Sequence, residues 1–478
     1  MTFPTAQSCN TVNDNNPFTP QDLRAIQGHL LANIATDENT FTKNDEGVII
    51  RSRPGAVIAS LSNQDTNGMS QDYIFHWVRD AAIVMQEVVF LYKQAQGDEK
   101  TKFHDYLIRY INFEQESQNQ AHQQNKKDTR KDALGEPKYN IDGTIWQKPW
   151  RRPQNDGPAF RALTMMSVVD ALGSSDALID IIKTDLDYVA SEWDQKSYCV
   201  WEEVADTHLF FTNGIQRKAL IKGVAFLESH KIDAPFAVYQ EAAKKLGESL
   251  ERHWDESLGY FAETMTQQDH KGGGVNSSVL LGLLHGDLGD ASDPLSLGND
   301  RVMSTIFFLR HIFANLYKIN LTQKANGCVF LGRYPNDIYD GDQFRYGNPW
   351  FLITAALAEY YYRLAPILLK QGHIEITTIN LLFWQQIGGG NTVNIGMITA
   401  AEHNDKFHRL VNCLIQEGDQ ILKTITGYGA SHQDDTSCHF SEQLDRVTGQ
   451  QVGAKDLLWT YAALLSATRS RQVLFQKE

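Results

Sequence analysis

Apolar residues recur at helical spacing from one end of this 478-residue chain to the other, and that recurrence limits the fold more than any other feature. The pattern runs through Gln21–Ala35, Asp80–Ala95, Phe103–Ser117, Ala159–Leu172, Asn213–Ser229, Pro235–Trp254, Val302–Leu316, Pro349–Leu364, Phe407–Leu422 and Asp456–Thr468. Strand-like alternation is rare and short. Thr19-Pro20, Asp156-Gly157-Pro158 and Asn348-Pro349 each set a capping residue ahead of a proline suited to a first helical turn. No Pro/Ser-rich linker interrupts the series, and about a dozen helices spaced in pairs favour stacked helical hairpins over a four-helix bundle. The prediction is all-α: an (α/α)6 toroid forming a single domain over residues 1–478. The polar stretches Gln118–Asp132, Gln267–Gly274 and Asn336–Asn348 are read as long loops at one rim, where function tends to sit. The first reads equally well as a solvated excursion, because its Gln/Lys run has no apolar anchor.

Composition narrows the function classes. A formal charge of −14 argues against non-specific attraction to nucleic acid or anionic lipid, and no window approaches the length of a membrane-spanning apolar run. A neutral substrate suits this balance, and nine tryptophans offer flat faces for sugar rings. The five cysteines, Cys9, Cys199, Cys328, Cys413 and Cys438, lie far apart without a CxxC pair. They suggest no metal site and leave both bridges and free thiols open. Residues 1–16 contain no basic stretch followed by an apolar run, so the compartment stays open: secreted or periplasmic if a leader has been removed, cytoplasmic otherwise.

Three segments couple aromatic residues to acids. In Tyr198-Cys199-Val200-Trp201-Glu202-Glu203-Val204, a carboxyl desolvated against an indole, or pressed by its like-charged neighbour, would stay protonated near neutrality and serve as a general acid. The alternative is a pair of solvated surface acids. Glu442, in Phe440-Ser441-Glu442-Gln443, lies ahead of the last helical stretch and is a candidate for the second carboxyl that glycoside hydrolysis needs; a plain exposed loop acid is the other reading. In Tyr73-Ile74-Phe75-His76-Trp77-Val78-Arg79-Asp80, Arg79 and Asp80 could grip sugar hydroxyls through charge-assisted hydrogen bonds, or Asp80 could simply favour a helix N-terminus.

In chain order these segments resemble the glucoamylase family of glycoside hydrolases, family 15. DYIFHWVRD (72–80), KPWRRPQNDGPAFR (148–161), the Tyr198–Thr212 block, GRYPND with GNPWF (332–337 and 347–351) and SEQLDRVTGQQVGAKDLLWTYAA (441–463) follow the family's succession of blocks over about residues 25–470. The resemblance implies that Glu202 is the general acid and Glu442 the general base. It also implies that Arg79, Asp80, Glu203, Arg333 and Asp337 hydrogen-bond the terminal glucose, with Tyr73, Trp77, Trp150, Trp201 and Trp350 shaping the pocket. The activity it implies is exo-acting and inverting: release of β-glucose from α-1,4-glucans and maltooligosaccharides, more slowly at α-1,6 links, without cofactor or metal.

A monomer with an α-glucan substrate is expected, and with the chain ending soon after the last block, no appended starch-binding domain is expected. Two details depart from the family pattern: Arg151, where a glycine commonly follows the tryptophan, and the inserted stretch Tyr339–Tyr346. Both are expected to affect the leaving-group side. The competing readings are a glucodextranase or trehalase-like hydrolase on the same scaffold, and a non-catalytic glucan-binding regulator.

Overall fold

A computed structural model describes residues 16–128, 133–265, 274–323, 328–390, 392–429 and 438–475. Among these the helices are α1 Pro20–Ala32, α2 Gln64–Asn67, α3 Val78–Gln94, α4 Gly97–Asp128, α5 Asp156–Leu172, α6 Asp176–Glu192, α7 Phe210–Ser229, α8 Phe236–Glu251, α9 Ser277–Gly286, α10 Asp300–Leu316, α11 Lys318–Gln323, α12 Phe351–Gln371, α13 Leu381–Gly388, α14 Asn404–Gly429 and α15 Leu458–Val473. The described strands form six two-stranded antiparallel ribbons, each strand two to four residues long. The chain divides into two compact units, one of residues 28–250 with 454–462 and the other of 1–27, 251–453 and 463–478.

Within each unit the helices are of two kinds, and the sequence explains both. A helix apolar on every side has to be enclosed, whereas one with a single apolar stripe can face water. In the first unit α5 buries twelve of its residues, including Asp156, Gly157 and Arg161, while α6 buries a stripe that includes Leu178, Ile181, Ile182, Leu186 and Val189. In the second, α12 buries Tyr360, Tyr361 and Tyr362 in succession and packs against α14, which buries the stripe Leu410, Val411, Leu414, Ile421, Leu422 and Ile425.

A buried ionic cluster joins α4, α5 and α6. Arg161 donates to Glu114 at 2.9 Å and to both oxygens of Asp185 at 2.8 and 2.7 Å, and Glu114 also pairs with His76 at 2.8 Å. Burial would raise the Glu114 carboxyl, but His76 and Arg161 outweigh it and hold it below its ordinary value. Removing one partner from such a cluster strands a charge away from water and costs about 3–5 kcal/mol.

The structure corrects several expectations. The polar run 118–128 continues α4 rather than looping out, with Gln118 buried and donating to Asp185 at 2.9 Å; residues 129–132 and 267–273 lie outside the described residues. Asp156 lies inside α5 with Asn155 at the cap position, and α12 starts at Phe351, so Asn348-Pro349 precedes the helix instead of capping it. Thr19-Pro20 behaves as read: Asp22 N donates to Thr19 Oγ1 at 3.1 Å, and Thr19 N donates back to Asp22 at 2.9 Å. Helices α2, α6, α9, α11 and α13 lie outside the helical stretches given by the periodicity. Cys199, Cys328 and Cys438 are buried free thiols, Cys413 is disulfide-bonded, and Cys9 lies outside the described residues.

Candidate active site

Short backbone pairings bring distant sequence blocks together in each unit. In the first, His76 pairs with Tyr139 and Trp77 with Lys138, directly before α3, and Tyr198 N donates to Pro153 O at 2.9 Å. Ser197-Tyr198 pairs with Ala205-Asp206, so residues 199–204 form the tip of a hairpin. Glu202 sits on that tip with φ of 60°, a left-handed conformation that costs a non-glycine residue about 1 kcal/mol or more.

Three donors converge on one oxygen of this carboxyl. Trp77 Nε1 at 3.0 Å, Trp150 Nε1 at 3.2 Å and Gln154 Nε2 at 2.9 Å all donate to Glu202 Oε1. Gln154 in turn accepts from Arg79 at 3.0 Å, and Arg79 donates to Asp156 at 3.0 Å, so a continuous chain of hydrogen bonds links the start of α5 to the hairpin tip. Arg79 is enclosed, with its guanidinium 5.5 Å from the Trp459 ring. Burial would lower its pKa, but Asp156, Asp80 and Glu202 together raise it above the ordinary value. Asp80 is pushed up to about 6, mainly by burial and also by Glu202 and Asp156, against the opposing pull of Arg79. Asp80 Oδ2 lies 3.3 Å from Arg79 Nε, yet the geometry satisfies neither atom with a hydrogen bond within the protein.

A residue that sequence reasoning missed stands beside this network. Lys138 is 1% exposed, and its ammonium lies 4.1, 4.6, 4.2 and 3.3 Å from the ring centres of Phe75, Trp77, Trp146 and Trp150. Burial pushes its pKa down to about 7, with Glu202 and Asp72 resisting. Two of its four rings are the indoles that hold Glu202. Trp201 is buried on the hairpin, Glu203 is half-buried beside Glu202, and the Tyr73 ring lies 6.0 Å from Trp77. Arg151 is exposed, 5.9 Å from the Tyr198 ring.

In the second unit, Trp350 N donates to Leu331 O at 2.8 Å, Trp350 pairs with Gln443, and Leu444 N donates to Pro349 O at 2.9 Å. The GRYPND, GNPWF and SEQL segments therefore meet at the start of α12. Arg333 grips Asp337 with two hydrogen bonds, at 2.8 and 2.5 Å, and both side chains are buried. Gly347 N donates to Asp337 O at 2.6 Å, and a methyl at Gly347 would lie 2.4 Å from Asp337 Cβ, so only glycine fits there. Glu442 is 1% exposed and accepts from Gln443 Nε2 at 3.0 Å on Oε2. Gly453 has φ of 79°, and a methyl there would come within 2.8 Å of that same oxygen. Gln443 Oε1 is buried without a hydrogen-bond partner in the protein.

The expected residues thus fall into two groups: Tyr73, Trp77, Arg79, Asp80, Trp150, Trp201, Glu202 and Glu203 in the first unit, and Arg333, Asp337, Trp350 and Glu442 in the second. Within each group, local pairings gather residues far apart in sequence.

The family model "Glycosyl hydrolases family 15" matches residues 42–469. The chain belongs to glycoside hydrolase family 15. Among family relatives, a glucoamylase of Blastobotrys adeninivorans is 33% identical, covering 88% of this chain and 68% of the relative. A glucoamylase of Saccharomycopsis fibuligera is 32% identical, covering 96% and 90%. A solved glucoamylase structure from Saccharomycopsis fibuligera superposes with a TM-score of 0.80 at 28% identity, over 98% of each chain. The fold is the (α/α)6 barrel of family 15 glucoamylases. Among the described residues no helix is long and apolar enough to cross a membrane, and no cluster of His, Cys, Asp and Glu could hold a metal ion.

Proposed function

We propose that this protein is an exo-acting, inverting glucoamylase that releases β-glucose from the non-reducing ends of α-1,4-glucans and maltooligosaccharides, with Glu202 as general acid and Glu442 as general base. Family membership carries the reaction class, and membership beside glucoamylases does not favour the glucodextranase, trehalase-like or regulatory readings. The acid role of Glu202 follows from the family block in which it lies, and the observation that supports it is the convergence of three donors on Oε1, which orients the carboxyl. Those bonds fix the carboxyl plane and leave Oε2 to hold the proton that passes to the glycosidic oxygen.

Glu442, buried and steadied by Gln443, then takes a proton from the water that attacks the anomeric carbon from the opposite face. Inversion requires the two carboxyls to stand ~6.5–9.5 Å apart, with room for that water, against ~5–5.5 Å for a nucleophile. Arg79 Nε and Asp80 Oδ2, buried without hydrogen-bond partners in the protein, suit the hydroxyls of the terminal glucose. The buried Arg333–Asp337 pair is assigned to glucose binding by the family block in which it lies. The test is glucose release from maltotetraose: the wild-type chain turns it over, and Glu202→Gln and Glu442→Gln each lose about a thousandfold in kcat while keeping the wild-type circular dichroism. Full activity in either variant would remove that residue from the mechanism.

A further inference from the structure

The stretch that departs from the family pattern folds into a compact loop beside the proposed base. Tyr339 pairs with Phe344, Asp340 N donates to Gln343 O at 3.1 Å, and the Asp340 carboxylate accepts from Gln343 N at 2.6 Å and lies 3.0 Å from Arg345 Nε. Its backbone presses on the base's own hairpin: a methyl at Gly341 would lie 2.7 Å from Gly453 Cα and 3.5 Å from the Gln443 amide carbon. The loop is therefore fixed against the residues that flank Glu442.

Its aromatic side chains run outward in a series. The Trp350 ring, buried, lies 6.3 Å from Tyr339, also buried, and Tyr339 lies 5.6 Å from Phe344, which is 61% exposed at the loop tip. Arg333, bound to Asp337, stacks within 5.1 Å of Tyr339 and 5.8 Å of Trp350 at the inner end. Ile338 and Tyr346 flank the tip and are also exposed. An exposed apolar patch continuous with a site generally has a ligand, and a sugar, an uncharged ring with an apolar face, suits the exposed ring of Phe344.

We propose that Phe344 is a stacking platform for a glucosyl unit beyond the scissile bond, so that the 339–346 loop sets a preference for longer maltooligosaccharides over maltose. The proposal rests on the exo-acting reading above. The charged groups at the inner end serve the non-reducing glucose, and whatever extends outward from them towards solvent is the reducing-end side of the chain. Stacking there strengthens binding of substrates long enough to reach Phe344 and adds nothing to the proton transfers.

The test compares kcat and KM on maltose and maltoheptaose for the full chain carrying Phe344→Ala or Phe344→Trp. The expected result is a three- to tenfold fall in the ratio of kcat/KM for maltoheptaose to that for maltose in the alanine variant, carried by KM and restored by tryptophan. An unchanged ratio, or an equal loss on both substrates, would overturn the proposal. So would a Phe344-dependent dimer in sedimentation with the ratio unchanged, which would assign the patch to a second copy of the chain. Failure of the hydrolytic reading would appear separately, as a wild-type chain that releases glucose from neither substrate. Calorimetric binding of maltoheptaose to Glu442→Gln, with and without Phe344→Ala, still reads the platform in that case: a three- to tenfold weaker affinity supports it and equal affinities overturn it.

Discussion

The two carboxyls assigned to the reaction differ in burial and in backbone conformation. Glu202 stands half-buried on a hairpin tip in a left-handed conformation, and three side-chain donors from two other segments fix one of its oxygens. Glu442 is buried, steadied by its own neighbour Gln443, and pressed by the backbone of Gly453, with no left-handed conformation of its own. An acid has to deliver a proton to one point in space, so its orientation is specified and one oxygen is left for the transfer. A base has to receive a proton from a small, mobile water, and a buried, closely fitted carboxyl suits that task.

The sharpest way to break this contrast is a substrate that needs no acid. On α-glucosyl fluoride, whose leaving group departs without protonation, Glu202→Gln is expected to recover most of the roughly thousandfold loss that it shows on maltotetraose, while Glu442→Gln stays low on both. Equal recovery in both variants would erase the distinction. Next is Gly453→Ala, which adds a methyl 2.8 Å from Glu442 Oε2 at a positive φ. Displacement of the base should lower kcat about a hundredfold with a smaller change in KM, and an unaltered kcat would show that the fit is not needed.

Asp80 gives an effect of similar size on stability. Its pKa rises from 3.8 to about 6 in the folded chain, so its contribution favours the fold at low pH and is lost as pH rises through about 6. At ~1.4 kcal/mol for each unit by which the pKa is raised, the ionised carboxyl costs about 3 kcal/mol at pH 8. Asp80→Asn should therefore raise the denaturation midpoint at pH 8, with the gain fading as pH falls from about 6 and gone below about 4, while activity falls; a gain independent of pH would contradict the assignment. The smallest effect is expected for Gln154→Leu, which removes one of three donors to Glu202 and should lower kcat about tenfold.

Much of this was legible in the sequence because it is carried by contiguous blocks. The helices with a clear apolar stripe form close to where the periodicity places them, and the blocks bearing Glu202 and Arg79, and those bearing Glu442 and Arg333, are gathered by local pairings within their own units. Other features escaped for physical reasons. In α9 and α13 the residues SSVLLGLLHG and LLFWQQIG are too short and too uniformly apolar to separate a helix from a buried strand. In α6 the signal was present, with Ser175 capping Leu178 N ahead of an amphipathic run. Lys138 escaped because a lysine ordinarily reads as solvated, and nothing local reveals that rings from positions 75, 77, 146 and 150 enclose it. Asp156 looked like a helix cap because its partnership with Arg79 spans 77 positions.

The central claim is that Glu442 activates water and does not itself attack the sugar. Proton NMR of the first minutes of maltotetraose hydrolysis tests it most directly, before mutarotation mixes the anomers. The account predicts that the glucose first released is the β-anomer. Initial release of α-glucose would contradict it, because retention of configuration requires Glu442 to act as a nucleophile.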